Sequence, residues 1–97
     1  MHALKMATPD YPTCMLPFLR FLGDGTEHTL RDVEEALASH FVLTAAEQAA
    51  LLPSGQQRVF SNRIGWSRTY LKKAGLIEAP KRGVFKITTR GREITGI

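Results

Sequence analysis

Apolar residues recur at helical spacing over Met15, Leu19 and Leu22, with Phe18 beside them, so Thr13–Gly23 predicts a first helix. Gly23 can close it, and Thr13 caps an irregular first turn ahead of the awkward Pro17. Residues 1–12 carry two prolines and no period, which predicts a flexible arm before one folded domain over residues 13–97. After the turn-forming "GDGTEH", His28 and Thr29 offer one short strand. Leu30, Val33, Leu37 and Phe41 then line one face of a second helix, with Asp32, Glu34 and Glu35 near its start, where the helix dipole favours acids. Thr44 followed by Glu47 is a capping box for a short third helix that stops before Pro53. A long helix starts near Gln57–Ser61 and runs to Ala74, with Gly75 beyond it. Two apolar-rich runs then flank "APKRG", a hairpin with a basic tip, and Phe85 and Ile87 mark the buried face of its second strand. "TTRGREITGI" can add a last helical turn, capped by Thr88 or Thr89 and weakened by Gly91. The expected fold is mostly α with a small β-hairpin, in the order of a winged helix-turn-helix with an extra short helix.

The long helix invites a closer projection. At ~100° per residue, Phe60, Ile64, Trp66, Tyr70, Leu71 and Ala74 share a broad arc, which is the expected core face. Trp66 is accordingly expected to be a core anchor. Ser61, Asn62, Gly65, Arg68, Thr69, Lys72 and Lys73 fall opposite. A glycine inside a helix costs roughly 1 kcal/mol relative to alanine, so Gly65 needs a reason. Close approach of the backbone to DNA is one; close packing against another element is the other. Arg63 lies within the apolar arc and is expected to snorkel or to pair with an acid of the second helix.

Charge changes the picture. Met1–Pro53 holds 3 Lys+Arg against 7 Asp+Glu, a net −4; Ser54–Ile97 holds 10 against 2, a net +8; together they make the chain's +4. The halves are too short to be separate domains, so one domain carries one strongly positive face, the footprint of a nucleic-acid binder. On the outward arc, Asn suits adenine edges and Arg suits guanine edges in a major groove. Lys72 and Lys73 suit phosphate, and the tip residues Lys81 and Arg82 repeat the charge. The candidate DNA-binding set is therefore Ser61, Asn62, Gly65, Arg68, Thr69, Lys72, Lys73, Lys81 and Arg82, with double-stranded DNA as partner. A solvated basic surface would look similar in sequence.

The segments Leu52–Gly55, Asn62–Trp66, Leu71–Leu76 and Arg82–Gly91 occur in the order and spacing that resemble the N-terminal domain of Mrr-type restriction endonucleases, which are type IV, methylation-dependent enzymes. Ser67 stands where that family has an alanine after the tryptophan. The resemblance covers roughly residues 10–95. It implies a winged-helix DNA-binding domain that precedes a PD-(D/E)xK nuclease domain in the parent protein. That enzyme would cut DNA carrying foreign methylation with Mg2+, in a bacterial cytoplasm. The partners implied are DNA and the parent's own C-terminal nuclease domain; a homodimer is left open.

The residues point to no catalytic or metal site in this chain, and no cofactor is expected in it. A nuclease needs clustered carboxylates with a lysine beside them. Pro9-Asp10 stands alone on the arm, and Glu78 lies three residues before Lys81, not two. His2, His28 and His40 lack metal-ligand spacing, and Cys14 reads as a small core residue. One cysteine excludes an internal disulfide and favours a reducing compartment, and the N-terminus is too polar for a signal peptide. Two alternatives remain beside the restriction-enzyme module: a stand-alone winged-helix transcriptional regulator, and a protein-interaction module.

Overall fold

The computed structural model describes residues 8–96. Helix α1 (Tyr11–Phe21) starts two residues earlier than the apolar period indicates. Its cap is Asp10, whose carboxylate accepts from the Thr13 backbone N–H at 3.0 Å. Pro12 sits in the first turn, where no amide donor is required. Tyr11 and Pro12 thus belong to the helix and not to an arm, and Thr13 is not the cap. The expected arm otherwise falls mostly on residues 1–7, outside the described residues. A single 3-10 turn, Leu22–Asp24, follows.

Strand β1 (His28–Thr29) leads directly into α2 (Leu30–His40). Thr29 and Asp32 form a reciprocal capping box there, with Thr29 N donating to Asp32 at 3.0 Å and Asp32 N donating to Thr29 at 3.1 Å. Helix α3 (Ala45–Ala49) carries the expected Thr44–Glu47 box. Helix α4 (Val59–Lys73) is the long one. Strands β2 (Ile77–Lys81) and β3 (Val84–Ile87) form the hairpin, and α5 (Thr89–Thr95) closes the chain. The sheet order is β1-β3-β2, all antiparallel, with His28 opposite Phe85 and Ile77 opposite Ile87. Pro80 lies inside β2, where the register slips between Glu78 and Lys81; an irregular edge position tolerates its missing donor. The hairpin tip therefore narrows to Arg82-Gly83, and Gly83 takes the positive φ of 76°. This order and sheet are those of a winged helix.

The core gathers Cys14, Phe18, Leu19 and Leu22 from α1 and its turn, Val33 and Leu37 from α2, and Ile77, Phe85 and Ile87 from the sheet. From α4 it takes Phe60, Ile64, Ser67 and Leu71. Each of the large apolar side chains is worth roughly 1.5–3 kcal/mol on burial. The helical phase of α4 corrects the sequence projection. Trp66 is 47% exposed and Tyr70 39% exposed, whereas Ser67 is fully buried. Ala74 is exposed as well. Ser67 lies where α1 crosses closely, and its hydroxyl donates to the carbonyl oxygens of Tyr11 (2.8 Å) and Arg63 (3.0 Å). A larger side chain there would separate the two helices.

Gly91 shows the same close approach at the other end. A β-carbon on it would run into the Leu76 carbonyl oxygen and sit 2.7 Å from Ile87 Cγ1. It is a packing requirement and not a weakness. Thr88 caps α5, accepting from Gly91 N at 3.1 Å while donating to Gly75 O at 2.6 Å. The end of α4 and the start of α5 are thereby tied together, which sets the angle at which the hairpin leaves α4.

Candidate nucleic-acid interface

The core phase of α4 decides which of its side chains face out. With Phe60, Ile64, Ser67 and Leu71 turned inward, Asn62, Gly65, Arg68, Thr69, Lys72 and Lys73 are left on the outer and flanking sides. Arg68, Thr69, Lys72 and Lys73 face Ala79, Arg82, Gly83 and Phe85 of the hairpin across an open groove of about 530 Å3. α4 contributes Arg68, Lys72 and Lys73 to its lining, and the hairpin contributes Arg82. None of the ion pairs among the described residues involves Arg68, Lys72, Lys73 or Arg82. Four positive charges are therefore held close together without internal neutralisation, an arrangement that attracts polyanions.

Lys81 differs from that group. Its ammonium lies 3.6 Å from Glu27, both side chains well exposed, so the pair is weak and easily exchanged. Thr69 donates its hydroxyl to the Gly65 carbonyl at 3.1 Å. Asn62 donates its amide to Gln57 at 3.2 Å, tying the first turn of α4 to the preceding loop.

Ser61 does not join the outer face. It is half-buried in the α2–α4 seam, donating to both Glu34 oxygens at 3.1 Å. Arg58, the residue capping α4, meets the same carboxylate. The cation at the start of α4 that pairs with an acid of α2 is Arg58; of the two expectations for Arg63, snorkelling or such a pairing, the pairing is not made among the described residues. Arg63 points to the opposite flank, where it lines a hollow with Asp10, Asn62, Trp66 and Tyr70. Sequence reasoning passed over Arg58 because it precedes the periodic part of the helix; the spacing of Arg58 and Ser61, almost one turn apart, was the available signal.

Gly65 resolves a question the sequence left open. A β-carbon built on it meets nothing within 4 Å among the described residues. Packing inside this chain does not require the glycine, unlike Gly91.

Several acids are engaged in helix caps and turns. Hydrogen bonds from Thr13 hold the Asp10 carboxyl below the usual range, and those from the Thr29 backbone and side chain do the same for Asp32. Asp24 is lowered chiefly by the Thr26 backbone N–H, with His28 Nε2 2.9 Å away also contributing. Glu78 is exposed on β2. No group of three or more His, Cys, Asp or Glu side chains is placed to hold a metal ion among the described residues. Cys14 is fully buried, and burial pushes its thiol up to about 11, which leaves it unreactive at neutral pH. No helix among the described residues is long and apolar enough to cross a membrane.

Comparison with known proteins adds two findings. The family described as the Mrr N-terminal domain matches residues 11–96. The chain is also 38% identical over 87 residues to the type IV methyl-directed restriction enzyme EcoKMrr of Escherichia coli (strain K12). That stretch is 89% of this chain and 28% of the enzyme, so the chain spans well under a third of the curated relative it matches. No solved structure matches the chain.

Proposed function

The chain belongs to the family of Mrr N-terminal domains, and from that premise we propose that it binds duplex DNA through the outer face of α4 and the hairpin. The observation that carries this is the groove in which Arg68, Lys72, Lys73 and Arg82 stand without carboxylate partners among the described residues. α4 enters the major groove, Arg68 and Asn62 meet base edges, and Lys72, Lys73, Lys81 and Arg82 meet phosphates. Releasing Lys81 from Glu27 costs little, because exposed pairs contribute less than about 1 kcal/mol. In the parent protein this module positions a separate PD-(D/E)xK nuclease domain, which uses Mg2+ on DNA bearing foreign methylation. Cleavage is assigned to that domain; of the acids here, Asp10 caps α1, Asp32 and Glu47 complete capping boxes, and Glu34 ties Arg58 and Ser61.

The test is fluorescence anisotropy with labelled duplexes at several salt concentrations. If roughly 3 to 5 phosphates are neutralised, the slope of log K against log salt is about −3 to −4.5. Arg68→Ala weakens binding to favoured sequences by about 1–3 kcal/mol. Lys72→Ala weakens binding to all sequences and makes the slope shallower by about one unit. Both variants keep the parent melting temperature. Unchanged affinity in the combined variant would sink the proposal and move a protein partner ahead of DNA.

A further inference from the structure

Beside the proposed DNA face, α4 carries a second surface of different chemistry. Tyr11, at the start of α1, stacks on Tyr70 with ring centroids 5.0 Å apart and planes 16° from parallel. Trp66 continues the row at 6.1 Å and 29° from Tyr70. The three rings form one stacked row, an aromatic ledge in which Trp66 is 47% and Tyr70 39% exposed. Their contiguity distinguishes them from singly exposed apolar residues, which need no explanation. The ledge borders a hollow of about 490 Å3 whose rim is polar: Asp10, Asn62 and Arg63.

That combination selects a ligand. A flat ring can extend the stacked row, and its edge must offer both donors and acceptors to the rim. Arg63 supplies donors, Asp10 supplies acceptors, and the Asn62 amide carries both. Hydrogen bonds from Thr13 hold the Asp10 carboxyl below its usual range, in keeping with its role as an acceptor. A nucleobase has this form: every base has a π-face, and its Watson–Crick edge mixes donors with acceptors. Asn62 belongs both to this rim and to the outer set of α4, so the hollow is continuous with the proposed DNA face. We propose that the Tyr11–Tyr70–Trp66 ledge receives an unpaired nucleobase of the nucleic acid bound along α4. The proposal rests on the DNA-binding reading and adds a site to it. Bases inside a duplex are stacked and out of reach; an extruded or bulged base reaches the ledge at the lowest unstacking cost.

Trp66 is the only tryptophan in the chain, so intrinsic fluorescence reports on the ledge directly. Three probes are titrated: a fully paired duplex, the same duplex with one bulged adenine, and the same duplex with an abasic residue in the bulge. The abasic probe keeps the backbone distortion and removes the base. The adenine bulge binds about 5- to 150-fold more tightly than the abasic bulge and quenches Trp66 emission. Trp66→Leu retains apolar cover but loses the large π-face, and it brings the two bulged probes to near-equal affinity by anisotropy. The paired duplex tests the underlying reading on its own. If it binds and depends on Arg68 and Lys72 while the bulged probes stay equal, the ledge proposal falls and the DNA face stands. Failure to bind any probe removes both. A Trp66 emission that changes with protein concentration in the absence of DNA, together with a dimer in sedimentation, would assign the ledge to a second copy of the chain and overturn the proposal.

Discussion

Ser67 and Trp66 are neighbours in sequence and opposites in environment. Trp66→Ala removes a half-exposed ring and should cost about 1 kcal/mol, well below the roughly 3–5 kcal/mol of a buried aromatic. Ser67→Leu inserts bulk where α1 and α4 touch and deprives the Tyr11 carbonyl of its donor; it should cost more than about 2 kcal/mol. Thermal melts of the two variants decide this, and the reverse ranking would contradict the observed phase of α4. That phase was partly legible. Measured from Phe60 at ~100° per residue, Ile64, Ser67 and Leu71 lie within ~40° of it, while Trp66 lies ~120° away. Hydrophobicity alone pulled the tryptophan inward, because a serine gives no apolar signal and its small size matters only once a partner helix is known.

Helices α1, α2, α3 and α5 begin where short polar side chains close their first turns, whereas α4 starts at Arg58 without a side-chain cap. Asp32 shows what this implies for acid. Its folded-state pKa is depressed by the Thr29 hydrogen bonds, so its contribution is present above the unfolded value of about 3.9 and disappears as pH falls through the lower folded value. The stability of Asp32→Asn should therefore fall less than that of the parent between pH 5 and pH 2 in urea melts; an identical fall would place the acid sensitivity elsewhere. The Thr44 box and the β1 pair His28–Thr29 could be read directly from the sequence. Asp10 could not, because a Pro9-Asp10-Tyr11-Pro12 string looks like a loop until the aspartate is seen to cap a helix with proline in its first turn. The width of the hairpin tip was misjudged for a related reason: Pro80 reads as a turn residue, yet an irregular edge strand admits it.

For the molecule as a whole, Cys14 is an internal reporter of global opening. Its thiol, raised from 9.0 to about 11, stays protonated in the fold at pH values where the unfolded chain has lost the proton. That contribution to stability is intact below about pH 9 and declines between pH 9 and 11. Denaturant melts should show the parent losing its advantage over Cys14→Ala across that interval; a constant difference would mean that the thiol titrates normally. The segregation of charge along the chain was legible at this scale, and the structure gives it a location in the groove between α4 and the hairpin. What was not legible is which cations face an acid, since Arg58–Glu34 and Lys81–Glu27 join residues distant in sequence. Gly65 carries the remaining consequence. Because no atom of the described chain crowds it, Gly65→Ala should raise stability by about 1 kcal/mol. A variant library sorted for heat resistance should therefore discard this glycine quickly, while the same library sorted for retention on immobilised duplex should keep it. The two enriched pools would then disagree at position 65 and agree at position 91, where Gly91 is held by the backbone beside it under either selection.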